Sequence, residues 1–462
     1  IHMILKKLGA VNYRITIPKR MLDGYGINSR IIADIPDGSL VITIDNGISA
    51  NEAIREAKRR GMTVVVLDHH LRNGELPPAD LIVDPEDNPE GWTSPYYCGA
   101  GLTYKLAEDL FPYETNFLDH LSAFAAISTI ADSVYVLGDN RNIITRGLRN
   151  LNSRTCPEGL QAILDYLAQE KNMEHIGIGE INFKIAPIVN APGRLSDDGG
   201  KKILRAFFQH GNRAQEYAKE IYDINEERKE LVAKAQEMVE TGEAGDCFLR
   251  KGNVIFLYIK DFQEGLCGIL AGKLSGDDRR PAFVMTKDSH GDIKGSARSQ
   301  SGVNVFEILK QASAMMLRFG GHAPAAGFSF KEENLEAVYE ALEAAAPEVG
   351  SGEDVSWYDL EVLPMAVQSV HTGIAQIGVY GEGFPEPVLK ITGPVDDAKA
   401  IGEEENHLSF RMAGVRYIAF RQYAKYLELG SPKILTVYGT VNSNWYKGRA
   451  YVQVNVMDFE AL

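Results

Sequence analysis

Apolar residues in the first part of this chain come in short runs that stop at charged side chains. Thr63-Val64-Val65-Val66-Leu67 is the clearest. A β-branched run of this length is too short for a helix of its own and predicts a buried strand. Residues 40–44 predict a second strand, and residues 50–60 between them form a helix with Ala53, Ile54 and Ala57 on one face. A strand–helix–strand unit of this length joins parallel neighbours. Upstream, residues 4–8 read as the end of an amphipathic helix closed by Gly9, residues 11–17 alternate as a strand, and Asp23-Gly24-Tyr25-Gly26 marks a turn. Downstream, residues 121–130 predict an alanine-rich buried helix. Residues 183–189 predict a strand ahead of a Gly-Pro loop, Asn190-Ala191-Pro192-Gly193-Arg194.

The pattern then changes twice. Residues 212–240 are helical and charged, with a narrow stripe at Ala214, Tyr217, Ala218, Ile221, Ile224 and Leu231, which predicts a connector helix between domains. A second α/β pattern follows: strands at 254–257, 282–285 and 293–297, a helix at 266–274, and another starting at Phe306. In this reading Phe319-Gly320-Gly321-His322 closes the helical portion. From about residue 356 strands dominate, at 388–391, 408–412, 417–420, 434–441 and 449–456, and five short strands with Gly and Pro turns fit an OB-type barrel. The expected fold class is α/β: a parallel-sheet domain (1–205), a connecting helix (206–242), a second α/β domain (243–350) and a C-terminal OB-type β-barrel (351–462).

Composition narrows the partners. A length of 462 residues suits two to four domains, and a formal charge of −15 argues against coating nucleic acid by bulk electrostatics, though not against a local basic groove. Carboxylates that hold metal ions also inflate that count. Four scattered cysteines without metal-type spacing read as reduced thiols. No apolar run approaches the roughly 18 residues of a membrane span, and residues 1–7 lack the order of a signal peptide. The expectation is a cytoplasmic protein.

The chemistry sits at strand ends. Open α/β sheets bind ligands outside the carboxyl ends of their strands, where this chain places Asp45 and Asp68-His69-His70. An aspartate there caps a helix or turn as readily as it binds a metal. Asp132 directly follows the buried helix at 121–130, and burial without a partner costs several kcal/mol. Asp45, His69 and Asp132 together suit manganese or another divalent ion. Asp139, within Gly138-Asp139-Asn140-Arg141, reads as a loop residue or cap. Arg194 suits a phosphate if it faces the metal, and is otherwise solvated. Gly320-Gly321-His322 is either an anion-binding turn or a plain helix end. Trp445-Tyr446-Lys447-Gly448-Arg449-Ala450-Tyr451 interleaves aromatics with cations, as a platform for a single strand does, or forms a structural hairpin tip.

Taken in order, these motifs resemble the DHH phosphoesterase superfamily, and within it the RecJ-type single-strand-specific exonucleases. The resemblance runs through residues 23–26, Ile44-Asp45-Asn46-Gly47-Ile48-Ser49, Asp68-His69-His70, Cys98-Gly99-Ala100-Gly101 and Ala131-Asp132-Ser133-Val134. It continues through Asn190 to Arg194, Gly295-Ser296-Ala297-Arg298-Ser299, Gly320-Gly321-His322 and Tyr380-Gly381-Glu382-Gly383-Phe384-Pro385-Glu386-Pro387. It implies two divalent cations, manganese first and magnesium as the alternative, in a cleft between a DHH domain and a DHH-associated domain. It further implies that Asp45 bridges both ions, that His69 and Asp132 bind one, that His70 faces the scissile phosphate, and that Asp68 orients the histidines. Arg194, Arg298, Ser299, Gly320, Gly321 and His322 would hold phosphates from the other side, with Trp445, Tyr446, Lys447 and Arg449 as the strand-binding surface. Two such ions, about 3.5–4 Å apart, suit in-line displacement at phosphorus.

The implied activity is 5′ to 3′ hydrolysis of single-stranded DNA in repair or recombination by a monomer, with single-strand-binding protein or a helicase as protein partners. The alternatives are a phosphodiesterase for short oligonucleotides or cyclic dinucleotides, and an inactive DHH scaffold in a replication complex. Two departures stand out. The superfamily's first Asp-x-Asp motif is absent from the sequence, so the chain as written is expected to bind metal poorly. Phe262-Gln263 also stands where Trp-His is common, and Gln263 cannot titrate near neutral pH.

Overall fold

The computed structural model describes residues 1–462 other than 20–22, 25, 73, 88, 89, 91, 93, 94, 242–246, 289, 301, 349–356 and 403. Tyr25 of the early turn, and the positions at 242–243 and 350–351 where the sequence places two domain boundaries, lie outside the described residues.

Among the described residues three sheets form. Strands β1 (Leu40–Ile44), β2 (Thr63–Leu67) and β3 (Leu81–Val83) are parallel in that order, with Ile44 opposite Leu67 and Leu67 opposite Val83. Val64 and Val66 of β2 are buried against Ala53, Ile54 and Ala57 of the intervening helix. Each buried valine contributes roughly 1.5 kcal/mol or more. The one-residue alternation leaves little freedom of register, so the residues after the strands, Asp45, Asp68 and Asp84, emerge along one edge.

The first part also holds α1 (His2–Lys7), α2 (Asn51–Arg59), α3 (Gly99–Leu110), α4 (Thr115–Ala131), α5 (Asp139–Ser153) and α6 (Ala186–Leu195), with further helices at Ser29–Ala33, Glu158–Lys171 and Gly199–Phe207. The long helix α7 (Asn212–Thr241) connects two cores. Ala218 and Ile221 belong to the first, and Val232, Ala235 and Val239 to a second that includes Ile255 and Leu266. Its buried stripe runs through Asn225 rather than Ile224.

The second sheet has the order β4 (Cys247–Lys251), β5 (Ile255–Ile259), β6 (Ala282–Lys287), β7 (Asp292–Arg298), β9 (Ala325–Lys331), β8 (Met316–His322), and α8 (Glu264–Asp278) packs on β6 and β7. The C-terminal sheet has seven strands: β10 (Leu360–Val362), β11 (Leu389–Pro394), β12 (Asp396–Ile401), β13 (His407–Met412), β14 (Val415–Ala419), β15 (Ile434–Tyr446) and β16 (Arg449–Ala461).

Four expectations are corrected. Residues 11–17 form no strand: Val11 and Ile15 are exposed, and the segment pairs with no edge. Residues 183–194 are helical rather than a strand and loop. A π-helical turn, Ile181–Ile185, leads into α6, where Pro187 occupies an opening position that needs no N–H donor. Phe319 to His322 form the end of β8 rather than of a helix, because they pair with Ala325–Phe328 across a tight hairpin. Finally, the C-terminal sheet has seven strands rather than five. β10 has three residues, and β12 is a polar edge strand, Asp-Asp-Ala-Lys-Ala-Ile, with no alternation to detect.

Candidate metal and phosphate site

The acidic part of the site is built at the β1–β2 edge. Asp45, one residue past β1, has φ +64° and donates its N–H to Leu67 O at 2.9 Å. That left-handed turn aims the carboxylate across the sheet edge, where Oδ1 accepts from Gly99 N–H at 3.3 Å and lies 3.0 Å from His69 Nε2. A Cβ on Gly99 would stand 2.6 Å from Asp45 Cβ, so the first residue of α3 has to be glycine for the turn to fit. The Cys-Gly-x-Gly motif was visible in the sequence, but nothing local revealed that it seats Asp45.

Asp68 is the buried keystone. Only 1% of it is exposed. Its Oδ2 accepts the Ile48 N–H at 2.9 Å, and its Oδ1 accepts the His69 N–H at 2.9 Å and pairs with His70 Nδ1 at 2.7 Å. Burial pushes its pKa up, but the His70 and backbone hydrogen bonds outweigh that and hold it below the usual carboxylate range. The same contact raises His70. Asp68 thus orients the His70 ring directly and His69 only through its backbone.

His69 Nε2 also lies 3.3 Å from Asp132 Oδ2. Asp132 is the C-cap of α4, at the end of a helix whose Ala123, Ala125, Ala126, Ile127 and Ile130 are buried. Burial draws the His69 pKa down, but Asp45 and Asp132 outweigh it and raise it. Asp132, whose side chain is still 46% exposed, is pushed up by partial desolvation and by Asp45. Nitrogen and oxygen atoms of Asp45, His69 and His70 lie within 4.8 Å of one another. Two carboxylates converging on one imidazole are a hard donor set that a divalent cation would relieve, so these residues fit such an ion. Asp139 is elsewhere engaged, with Tyr97 Oη at 2.8 Å and Lys105 Nζ at 3.1 Å, as its reading as a structural residue expects.

A cleft of about 420 Å³ opens beside Asp45, lined also by Asn46, Asn190, Gly193, Arg194 and Asp197. Arg194, in the last turn of α6, donates to Gly265 O at 3.2 Å. Gly265 abuts the Arg194 backbone so closely that any Cβ there would collide with Arg194 O. This is where the first domain touches the second. Arg298, at the end of β7, donates to its neighbour Ala297 O at 2.8 Å and lies along α8, its Nη2 2.8 Å from where a Gly268 Cβ would stand. Burial lowers its pKa from the ordinary arginine value, and it meets no carboxylate among the described residues. The Ser299 hydroxyl donates to Val303 O at 2.6 Å. Gly320, Gly321 and His322 lie on the hairpin strand beside Ala325–Gly327. Of the second domain's expected phosphate ligands, none among the described residues lines the 420 Å³ cleft itself.

The C-terminal hairpin tip stands apart from both. Trp445 stacks on His175 with ring centres 4.7 Å apart, and the Glu174 carboxylate accepts the Lys447 and Gly448 N–H groups at 2.7 and 2.6 Å. Tyr446 and Arg449 next to it are exposed.

A residue absent from the sequence reading is Asp84, the aspartate after β3. It is 5% exposed, its Oδ1 accepts the Glu86 and Asp87 N–H groups, and its Oδ2 has no partner among the described residues. Burial, with a contribution from Asp68, pushes its pKa up to about 6. The signal was present: β3 ends in an aspartate like its two neighbours.

Comparison with known proteins accounts for this layout. The models of the DHH family N-terminal domain, the DHHA1 domain and the RecJ OB domain match residues 2–136, 251–348 and 358–458. The chain is 32% identical over 431 residues to the single-stranded-DNA-specific exonuclease RecJ of Haemophilus influenzae, covering 88% of this chain and 74% of that protein. It is 33% identical over 426 residues to the protein of the same name from Bacillus subtilis, covering 88% of this chain and 52% of that one. The crystal structure of RecJ in complex with Mn2+ from Thermus thermophilus superposes with a TM-score of 0.78 at 28% identity, covering 99% of this chain and 66% of that one. With its parallel sheet, second α/β sheet and C-terminal OB sheet in the same order, the chain belongs to the RecJ family of DHH proteins.

Proposed function

We propose that this protein is a cation-dependent exonuclease of single-stranded DNA, acting from the 5′ end in repair or recombination, with Asp45, His69 and Asp132 as cation ligands. One observation carries the reading: His69 Nε2 sits between Asp45 Oδ1 and Asp132 Oδ2, at 3.0 and 3.3 Å, from three separate chain segments. The name of the Haemophilus relative and the manganese complex of the Thermus protein support it. Manganese is the cation of first choice, and a pair of ions is the stoichiometry proposed.

When bound, the cations supply positive charge at the phosphodiester and make water more acidic. The chain's own residues do the rest. Asp68 holds His70 by Nδ1 and so orients its ring, which we assign to face the phosphate. Arg194 and Arg298 present guanidinium groups whose planar geometry suits phosphate oxygens. The 420 Å³ cleft beside Asp45 is the proposed seat of the strand end. In the OB domain, Tyr446 and Arg449 offer a stacking face and a cation to the strand further along.

The test is end-labelled single-stranded DNA with and without manganese. Release of mononucleotides that needs the cation is the expected result, and Asp132→Ala should abolish it. Full activity in that variant, or digestion in excess chelator, would overturn the assignment.

A further inference from the structure

We propose that residues 377–384, between β10 and β11 inside the OB domain, are a positioning device for Asp132, so that the OB domain contributes to cation affinity as well as to strand binding. This rests on the reading of Asp132 as a cation ligand.

The loop from Asp132 to Gly138 joins α4 to α5. It begins with the ligand carboxylate, continues with Ser133 at φ +54°, and forms no strand pairing of its own. At its start Asp132 and Ser133 donate their N–H groups to Ser128 O and Ile130 O of α4 at 2.9 and 3.2 Å, and the contacts that hold the rest come mainly from about 250 residues further along the chain. Val136 donates its N–H to Glu382 O at 2.7 Å, and its buried side chain shares a core cluster with Val379. Arg141, in the first turns of α5, donates to Val379 O at 2.7 Å and to Ile377 O at 2.8 Å. Its guanidinium lies 4.4 Å from the centre of the Phe384 ring, which stacks on Tyr380. From within the first domain, Asn140 Nδ2 donates to Tyr135 O at 2.8 Å.

The two glycines of the Tyr-Gly-Glu-Gly-Phe motif explain why this contact is so close. A Cβ on Gly381 would stand 2.6 Å from Val136 Cγ2, and one on Gly383 would collide with the Tyr135 ring. Gly383 also has φ +70°, and Gly381 and Phe384 exchange backbone hydrogen bonds of 2.9 and 3.0 Å that pin the turn. The segment is therefore pressed onto the two residues that lie three and four positions after Asp132. A carboxylate so near a pinned point has little freedom to leave the 3.3 Å contact with His69. Groups that orient metal ligands from outside typically change metal affinity or activity by about 10–100-fold.

The experiment compares Gly383→Ala, Arg141→Lys and Asp132→Ala in the full chain, each checked for folding by thermal melting. Mn2+ alone is titrated in by paramagnetic resonance, and binding of a single-stranded oligonucleotide is measured separately in chelator. Gly383→Ala should weaken Mn2+ binding by roughly 10-fold or more, leave oligonucleotide binding in chelator within about twofold, and regain cleavage as Mn2+ is raised. Arg141→Lys keeps the charge but cannot serve both carbonyls, so it should lose Mn2+ affinity to a smaller extent, and it carries the test if the glycine variant does not fold. Folded variants with unchanged Mn2+ affinity, or with weakened oligonucleotide binding instead, overturn the proposal while Asp132→Ala still lowers Mn2+ affinity. Unchanged Mn2+ binding in Asp132→Ala overturns the ligand assignment itself.

Discussion

The acidic wall at the β1–β2 edge and the basic wall around Arg298 in the second domain, which lies outside the lining of the 420 Å³ cleft, are stabilised in opposite ways. On the sheet edge Asp45, Asp68 and His70 each have a further partner: Asp45 has Gly99, His70 has Asp68, and Asp68 has Ile48 and the two histidine N–H groups. On the basic wall Arg298 lies over Gly268 and Gly272 of α8, and among the described residues only a peptide carbonyl accepts from it. The difference teaches what each wall is for. Carboxylates and imidazoles that must converge on a cation repel or desolvate one another, so the fold commits hydrogen bonds to hold them. A cation meant for a passing phosphate keeps its donors uncommitted, and a carboxylate beside it would compete with the ligand.

Substitutions in each wall test this contrast. Asp68→Asn should have the largest effect. All four contacts to Asp68 come from donors, so an amide must turn its NH2 toward at least one of them and release either Ile48 or His70. A loss of about 10–100-fold in cleavage is expected, measured as kcat at saturating manganese, and wild-type kcat would show that His70 needs no orientation. Arg298→Lys is the counterpart on the basic wall. It keeps the charge but loses the fork, and a rise in KM of about 10-fold with a smaller change in kcat is expected. A fall confined to kcat would place Arg298 at the reacting phosphate rather than along the bound strand.

The smallest effect concerns stability alone. Among the described residues Asp84 is a strand-end aspartate with a buried oxygen that nothing satisfies, and its pKa is pushed up to about 6. A carboxyl raised on folding costs nothing below its unfolded value near 4 and destabilises progressively as pH rises through 6. Asp84→Asn keeps the acceptor used by Glu86 and Asp87 and removes the charge. In chelator at pH 8 it should therefore unfold at a higher temperature, by a few degrees for on the order of 2 kcal/mol. At pH 4 the two proteins should melt together, and an equal shift at both pH values would mean that packing, not charge, sets the difference.

How far the sequence reaches depends on the distance over which each cause acts. The strand runs at 40–44 and 63–67 have their explanation within themselves, and the edge they create follows from strand, helix and parallel strand. Asp45, His69 and His70 were thus legible as neighbours before any coordinates. Phe183 to Arg194 was misread because a short apolar run does not declare its period, and only packing against α4 and α7 settles it as helix. The hairpin tip at Trp445 carried aromatic and basic residues that suit a nucleic-acid strand, yet Glu174 and His175 hold its backbone and its indole.

What the sequence determined by itself is local: the β-branched runs, the acids and histidines that end them, and the order of motifs that marks the family. The tertiary structure alone decided which distant backbone approaches which ligand. Gly99 beneath Asp45, Gly265 against Arg194 and Gly383 on Tyr135 are close contacts between segments from about 50 to 250 residues apart. The physical reason is that a glycine's missing side chain matters only through the atom that occupies its place, and no pattern along the chain names that atom.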